Sequence, residues 1–97
     1  MKIMNEKILT ELEIINEKGL HARASKKLVE CANLFESDIK IGMIYNNEDQ
    51  DVSCREIMDL MMLGANYGKK VRLSIVGPDA RRAFKAIKEL FNNQFYE

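Results

Sequence analysis

The alternation of apolar and polar residues from about 8 to 15 predicts a first strand, with Ile8, Leu12 and Ile14 on one face and Leu9, Glu11, Glu13 and Ile15 on the other. Gly19 interrupts the pattern. From Ala22 the apolar positions fall at Leu28, Val29, Ala32 and Phe35, the spacing of a helix with one buried stripe, which starts at or beside His21. Period two returns at Ile39, Ile41, Met43 and Tyr45. The polar run Asn46-Asn47-Glu48-Asp49 then predicts a hairpin turn into a short strand near Gln50-Asp51-Val52. Ser53-Cys54-Arg55-Glu56 has the S-x-x-E form of a capping box, so a short second helix is predicted over 57–63, closed by Gly64 as a C-cap.

Lys70 to Val76 predicts a last strand, with Val71, Leu73 and Ile75 facing one way and Arg72 and Ser74 the other. Gly77-Pro78-Asp79 ends it. Pro78 suits the first turn of a third helix and Asp79 its positive end, while Ala80, Ala83, Phe84, Ile87, Leu90 and Phe91 form its apolar stripe. The order strand, helix, strand, strand, helix, strand, helix predicts an α+β domain of two layers. A four-stranded antiparallel sheet is covered by three helices on one face and open to water on the other.

A chain of 97 residues fits one domain, 1–97, with 1–7 as a short N-terminal extension, and leaves little room for a deep substrate cleft. Fifteen basic residues balance fifteen acidic ones, so nothing global points to nucleic acid or an anionic membrane as partner. No apolar stretch resembles a signal peptide or reaches transmembrane length, and a soluble cytoplasmic monomer is expected. Cys31 and Cys54 lack paired spacing and read as free thiols. Together with His21 they would supply at most three metal ligands, so no metal and no cofactor is expected.

Gly19-Leu20-His21-Ala22-Arg23 joins strand to helix and puts the only histidine at a helix N-terminus. Unpaired N–H groups and the positive end of the helix dipole favour a phosphate there. Imidazole can hold a phosphoryl group on a ring nitrogen, and Arg23 could reach the same anion with planar donors. On the local pattern alone His21 could equally be structural.

Two separate segments, Gly19-Leu20-His21-Ala22-Arg23-Ala24 and Ile57-Met58-Asp59-Leu60-Met61-Met62-Leu63-Gly64-Ala65, together resemble the histidine-containing phosphocarrier family, HPr, over nearly the whole chain from Ile8. The resemblance implies an open-faced βαββαβα sandwich. It also implies that His21 accepts a phosphoryl group from enzyme I of the phosphoenolpyruvate-dependent phosphotransferase system and donates it to enzyme IIA-type proteins, with Arg23 stabilising the phosphate. Such a protein is a carrier rather than a stand-alone enzyme.

Two positions depart from the family pattern. Ala24-Ser25 stands where the family motif commonly has proline after the arginine, a variant shared with nitrogen-type relatives, so a regulatory protein acting by phosphorylation-dependent binding is the alternative within the family. Glu56 occupies the position of the serine that a regulatory kinase phosphorylates in many relatives. As the N3 member of the Ser53 capping box it would only favour the helix; as a carboxylate it could partly mimic phosphoserine.

Leu60 and Leu63 would share the buried face of the second helix, leaving Ile57, Met58 and Met61 nearer the surface. The resemblance implies that these residues, with Ala22, border the histidine and contact partners. Lys18, Arg23, Lys26, Lys27 and Arg55 could ring the patch and steer acidic partners, or form an ordinary solvated face. A nucleic-acid module would need aromatics on the open sheet face, and Glu11, Glu13, Lys40, Gly42, Arg72 and Ser74 provide none. An enzyme would need a second acid, base or metal set beside His21.

Overall fold

The computed structural model describes residues 5–97. Strand β1 (Glu6–Glu13) leads to helix α1 (Ala22–Ala32), strand β2 (Asp38–Met43), strand β3 (Val52–Ser53), helix α2 (Ile57–Met61), strand β4 (Lys70–Gly77) and helix α3 (Ala80–Asn92). Single 3₁₀ turns lie at Glu48–Gln50 and Gln94–Tyr96. The strands form one antiparallel sheet in the order β1-β4-β2-β3. The α+β architecture predicted from periodicity is the one observed.

Pairing decides where the strands end. β4 is eight residues long, and β1 matches it from Glu6 opposite Gly77 to Glu13 opposite Lys70. Glu6 and Lys7, predicted to lie in an extension, are therefore strand, and residues 1–4 of that extension lie outside the described residues. Ile14 leaves the ladder but exchanges backbone hydrogen bonds with Lys69 and Gly68, which explains why the alternation seems to run on. β2 stops at Met43 because the N–H of Asn46 turns back to its carbonyl. That expels Ile44 and Tyr45 from the predicted strand to the surface.

Ile39, Ile41, Met43, Val71, Leu73 and Ile75 point from the sheet into the core, which α1 enters with Ala24, Leu28 and Ala32 and α3 with Ala83, Ile87 and Phe91. Removing these side chains from water drives the two layers together, at about 25 cal/mol per Å² of apolar surface. Cys54 is buried in the same core, and both cysteines are free.

Two predicted caps are realised differently. Ser53 belongs to β3, and its hydroxyl accepts the N–H of Arg55 at 3.1 Å instead of capping α2; Glu56 is the N-cap residue and its carboxylate makes no capping bond. The turn after β3 consumes the two residues that a capping box would need. α2 is accordingly shorter than 57–63, its C-cap is Met62, and Gly64 lies beyond the cap with φ +77°. At α3, Pro78 precedes the N-cap residue Asp79. The Asp79 carboxylate also leaves its own helix uncapped and accepts from the N–H groups of Glu36 and Ser37, both at 2.9 Å, and from the Ser37 hydroxyl. The Ser37 hydroxyl first, then the Glu36 N–H, hold this carboxyl below its ordinary value.

The sheet face away from the helices is partly covered. Arg72 donates from Nε and Nη2 to the two carboxylate oxygens of Asp51 at 3.0 and 2.6 Å, and from Nη2 to the Asn46 carbonyl at 3.1 Å. This pair lies over Gly42, which is on the outward face as predicted but is buried beneath it. A Cβ on Gly42 would stand 1.7 Å from Asp51 Oδ1. Gly42→Ala is expected to push the carboxylate out of its fork and to lower unfolding stability by about 2–3 kcal/mol, read from the denaturant midpoint at constant slope.

Burial pushes the Cys54 thiol up to about 12. It raises the half-buried Cys31 thiol as well. Iodoacetamide at about pH 8 is therefore expected to modify Cys31 slowly and to leave Cys54 untouched until the protein unfolds, as mass spectrometry would show.

Candidate functional site

The loop between β1 and α1 is built around Asn16 and Gly19. The Gly19 N–H closes a turn onto the Asn16 carbonyl at 3.1 Å, and the Asn16 side-chain amide donates to the Gly19 carbonyl at 2.8 Å. Leu20 then donates its N–H to the Ala65 carbonyl at 3.0 Å, tying the loop to the segment that follows α2. Gly19 has φ +64°, and a Cβ there would lie 2.5 Å from the Ala65 carbonyl oxygen and 2.9 Å from Asn66 Cα. Both reasons demand glycine.

His21 follows in extended conformation as the N-cap residue of α1. Its carbonyl accepts the Ser25 N–H at 2.8 Å, the first bond of the helix, and the Ser25 hydroxyl turns back to the Leu20 carbonyl at 3.0 Å. Ala24 and Ser25, which stand where the family motif differs, are both buried and well accommodated. The ring offers Nδ1 to the helix, where it accepts the Arg23 N–H at 3.3 Å, and Nε2 to the carboxylate of Glu97. The His21 side chain is 26% exposed and that of Glu97 18%.

Glu97 was not legible in the sequence as part of this site. Its other oxygen accepts from Asn16 Nδ2 at 2.6 Å. Burial opposes its charge, but the hydrogen bonds from Asn16 and His21, with the charges of His21 and Lys18, hold the carboxyl below its ordinary value. The tail reaches this place because Phe95 is fully buried against Phe91, ring centroids 5.0 Å apart, and because Lys27 donates to the Phe95 carbonyl. The stripe at Ile87 and Phe91 continues with the same four-residue step to Phe95, a signal that could have placed the tail against the core.

Arg23 is exposed and has no carboxylate partner among the described residues. With Asn16, Lys18 and Glu97 it borders an open cleft of about 300 Å³ beside His21. Ala22 and Lys26 are exposed on the same helix. Two other predicted rim cations are already engaged. Lys27 holds the tail, and the Arg55 guanidinium lies within 3.2 Å of the carbonyls of Ala32, Phe35 and Ser37, closing the C-terminal end of α1. Both keep their positive charge, since their partners are neutral carbonyls, but their donors are committed within the fold.

Helix α2 packs on α1; its one fully buried residue is Leu60, and Leu63 just beyond it is half-buried. Ile57, Met58 and Met61 are exposed as expected. Met62 joins them at 79% exposed, the most of the four. Among the described residues no group of acidic, cysteine and histidine side chains could hold a metal, and no helix is long and apolar enough to cross a membrane.

Gly19→Ala is expected to cost at least about 2 kcal/mol, since it adds a left-handed residue to a backbone clash. The same variant should shift the amide resonances of both His21 and Ala65, because a single hydrogen bond joins their segments.

Residues 8–93 match the family model for the PTS HPr component phosphorylation site. The chain is 38% identical over 87 residues to the phosphocarrier protein HPr of Xylella fastidiosa, covering 90% of this chain and 93% of that one. It is 40% identical over 86 residues to HPr of Neisseria meningitidis, covering 89% and 92%. In three dimensions it is similar to HPr of Thermoanaerobacter tengcongensis, with a TM-score of 0.82 at 34% identity over 93% of this chain and 97% of that one. It is also similar to HPr of Bacillus anthracis, with a TM-score of 0.78 at 26% identity over 88% and 96%. With sequence and overall fold in agreement, the chain belongs to the HPr family of phosphocarrier proteins of the phosphotransferase system.

Proposed function

We propose that this protein carries a phosphoryl group on Nδ1 of His21, taking it from phosphorylated enzyme I and giving it to enzyme IIA-type acceptors in the cytoplasm. The observation that carries this reading is the direction of Nδ1: it faces the N-terminal end of an eleven-residue helix and already receives the Arg23 N–H. Free N–H groups and the helix dipole make that space favourable for the phosphoryl oxygens, and the Arg23 guanidinium can close over them from the exposed side.

The step is an exchange of one P–N bond for another. The Nδ1 lone pair attacks phosphorus while the bond to the donor's ring nitrogen breaks and its electron pair returns to that ring. The reverse geometry serves the acceptor, so near-equal stability of the two phosphohistidines matters more than tight binding. Catalysis then reduces to positioning and charge stabilisation, completed by the partner. The protein is a carrier and not a catalyst on its own.

Ile57, Met58, Met61 and Met62 provide the docking face, with Ala22, Arg23 and Lys26 at its border. Methionine side chains adapt to more than one partner surface, which suits a protein that must meet a donor and several acceptors in turn. A face this small favours the short-lived complexes that turnover requires. Glu56, exposed at the N-cap of α2 and uncommitted to capping, adds a fixed negative charge where many relatives carry a switchable serine.

Phosphoenolpyruvate and an enzyme I should yield an acid-labile adduct on the protein, seen by ³¹P NMR and absent from His21→Ala; an adduct that persists in that variant would refute the assignment. Arg23→Ala should retain the adduct but form it about tenfold more slowly, less than for a buried oxyanion donor because the guanidinium is exposed.

A further inference from the structure

We infer that Glu97 is a positioning residue for His21: its carboxylate, aimed by Asn16, keeps the ring proton on Nε2 and so leaves Nδ1 unprotonated, its lone pair able to exchange the Arg23 N–H for the phosphoryl group. This rests on the phosphocarrier reading above and adds to it a residue beyond the segment that matches the family.

The contacts on the two sides of the ring specify one tautomer independently. An ionised carboxylate can only accept, so the Nε2 that meets Glu97 carries a hydrogen; a backbone N–H can only donate, so the Nδ1 that meets Arg23 carries none. The carboxylate is itself held. Asn16 is 1% exposed, and its Nδ2 serves two acceptors, the Gly19 carbonyl and Glu97 Oε1, which fixes the orientation of the amide. The same asparagine thus shapes the loop before His21 and aims the carboxylate at its ring.

The tail is built to deliver this group. Gln94, Phe95 and Tyr96 have φ of +54°, +56° and +56°, a left-handed turn that non-glycine residues adopt only when their surroundings impose it. Burial of Phe95 and the bond from Lys27 impose it here, and the turn carries the chain back to His21. The depressed titration of Glu97 agrees with a carboxylate that stays charged in this setting.

During transfer the proton remains on Nε2. As the P–N bond forms at Nδ1, positive charge spreads over the ring, and the adjacent carboxylate stabilises it. An acceptor that also fixes the tautomer raises the basicity of the opposite nitrogen, the effect that a carboxylate has on a metal-binding or catalytic histidine.

Glu97→Gln tests this without removing the side chain. Asn16 Nδ2 still requires an acceptor, so the glutamine oxygen turns to it and the glutamine NH₂ faces Nε2. The ring proton is then driven to Nδ1, against the Arg23 N–H. In ¹⁵N NMR of the neutral ring, the parent should show the Nε2–H tautomer and Glu97→Gln a mixed or inverted one. Transfer from phosphorylated enzyme I should slow about 10- to 100-fold. Glu97→Asp should recover part of both, and an unchanged Phe95 amide resonance would confirm that the tail stays docked. Parent-like tautomer and rate in Glu97→Gln would overturn the inference, and so would a rate above the parent's, which would make the contact inhibitory. If the parent itself takes no phosphoryl group, the phosphocarrier reading fails, and the tautomer measurement alone still decides whether Glu97 positions the ring.

Discussion

The Leu20 N–H reaches the Ala65 carbonyl across a gap that exists only because Gly19 has no side chain. On one side of this bond lies the loop that sets His21 at the mouth of α1; on the other lies the exit from α2, with its exposed methionines. An acceptor atom and a docking face on different elements can serve one partner only if their separation is fixed, and 1 Å of misplacement matters for group transfer. The hydrogen bond fixes it with backbone atoms, which side-chain substitutions elsewhere do not move.

Around that joint the protein divides rigid parts from soft ones. Arg55 holds the far end of α1 through three carbonyls, and Asp79 binds the following loop to the start of α3. The helix that offers the histidine is therefore restrained at both ends. α2 has one buried residue, and its remaining apolar side chains are free to repack. The proposed chemistry and the proposed recognition thus sit side by side, each on the element whose packing suits it.

The sequence disclosed what depends on local period and on position in the chain. Alternation at Val71, Leu73 and Ile75 and the stripe from Ala80 to Phe91 placed β4 and α3, and His21 beside Gly19 placed the helix mouth. What failed depended on competition for partners. Ser53 and Glu56 have the spacing of a capping box, but pairing of β3 with β2 claims Ser53 first. Asp79 has the chemistry of a cap, but the Ser37 hydroxyl and two backbone N–H groups claim its carboxylate. Lys27 and Arg55 read as solvated rim cations, and the bonds their donors make to the carbonyls of Phe95, Ala32, Phe35 and Ser37 are not legible in their positions. In each case a local motif names what a side chain can do, and the fold decides which of several offers it accepts.

Glu97 shows the same limit from the other side. Nothing in a lone glutamate far along the chain from His21 links it to that histidine; the link is made by Phe95, whose burial is legible as one more step of the α3 stripe. The hydrophobic effect anchors the tail, and the anchor imposes a left-handed turn that the residues of 94–96 would not choose. Burying one aromatic side chain is worth about 1.5–3 kcal/mol, of the same order as three left-handed residues cost, so the tail docks only because Lys27, Asn16 and His21 add polar bonds. A group held by such a near balance can be kept in place without being locked, which is what the proposed role beside a reversibly phosphorylated ring would require. In that role its charge would support the ring when phosphorus arrives without resisting the rearrangements that a partner's surface would impose.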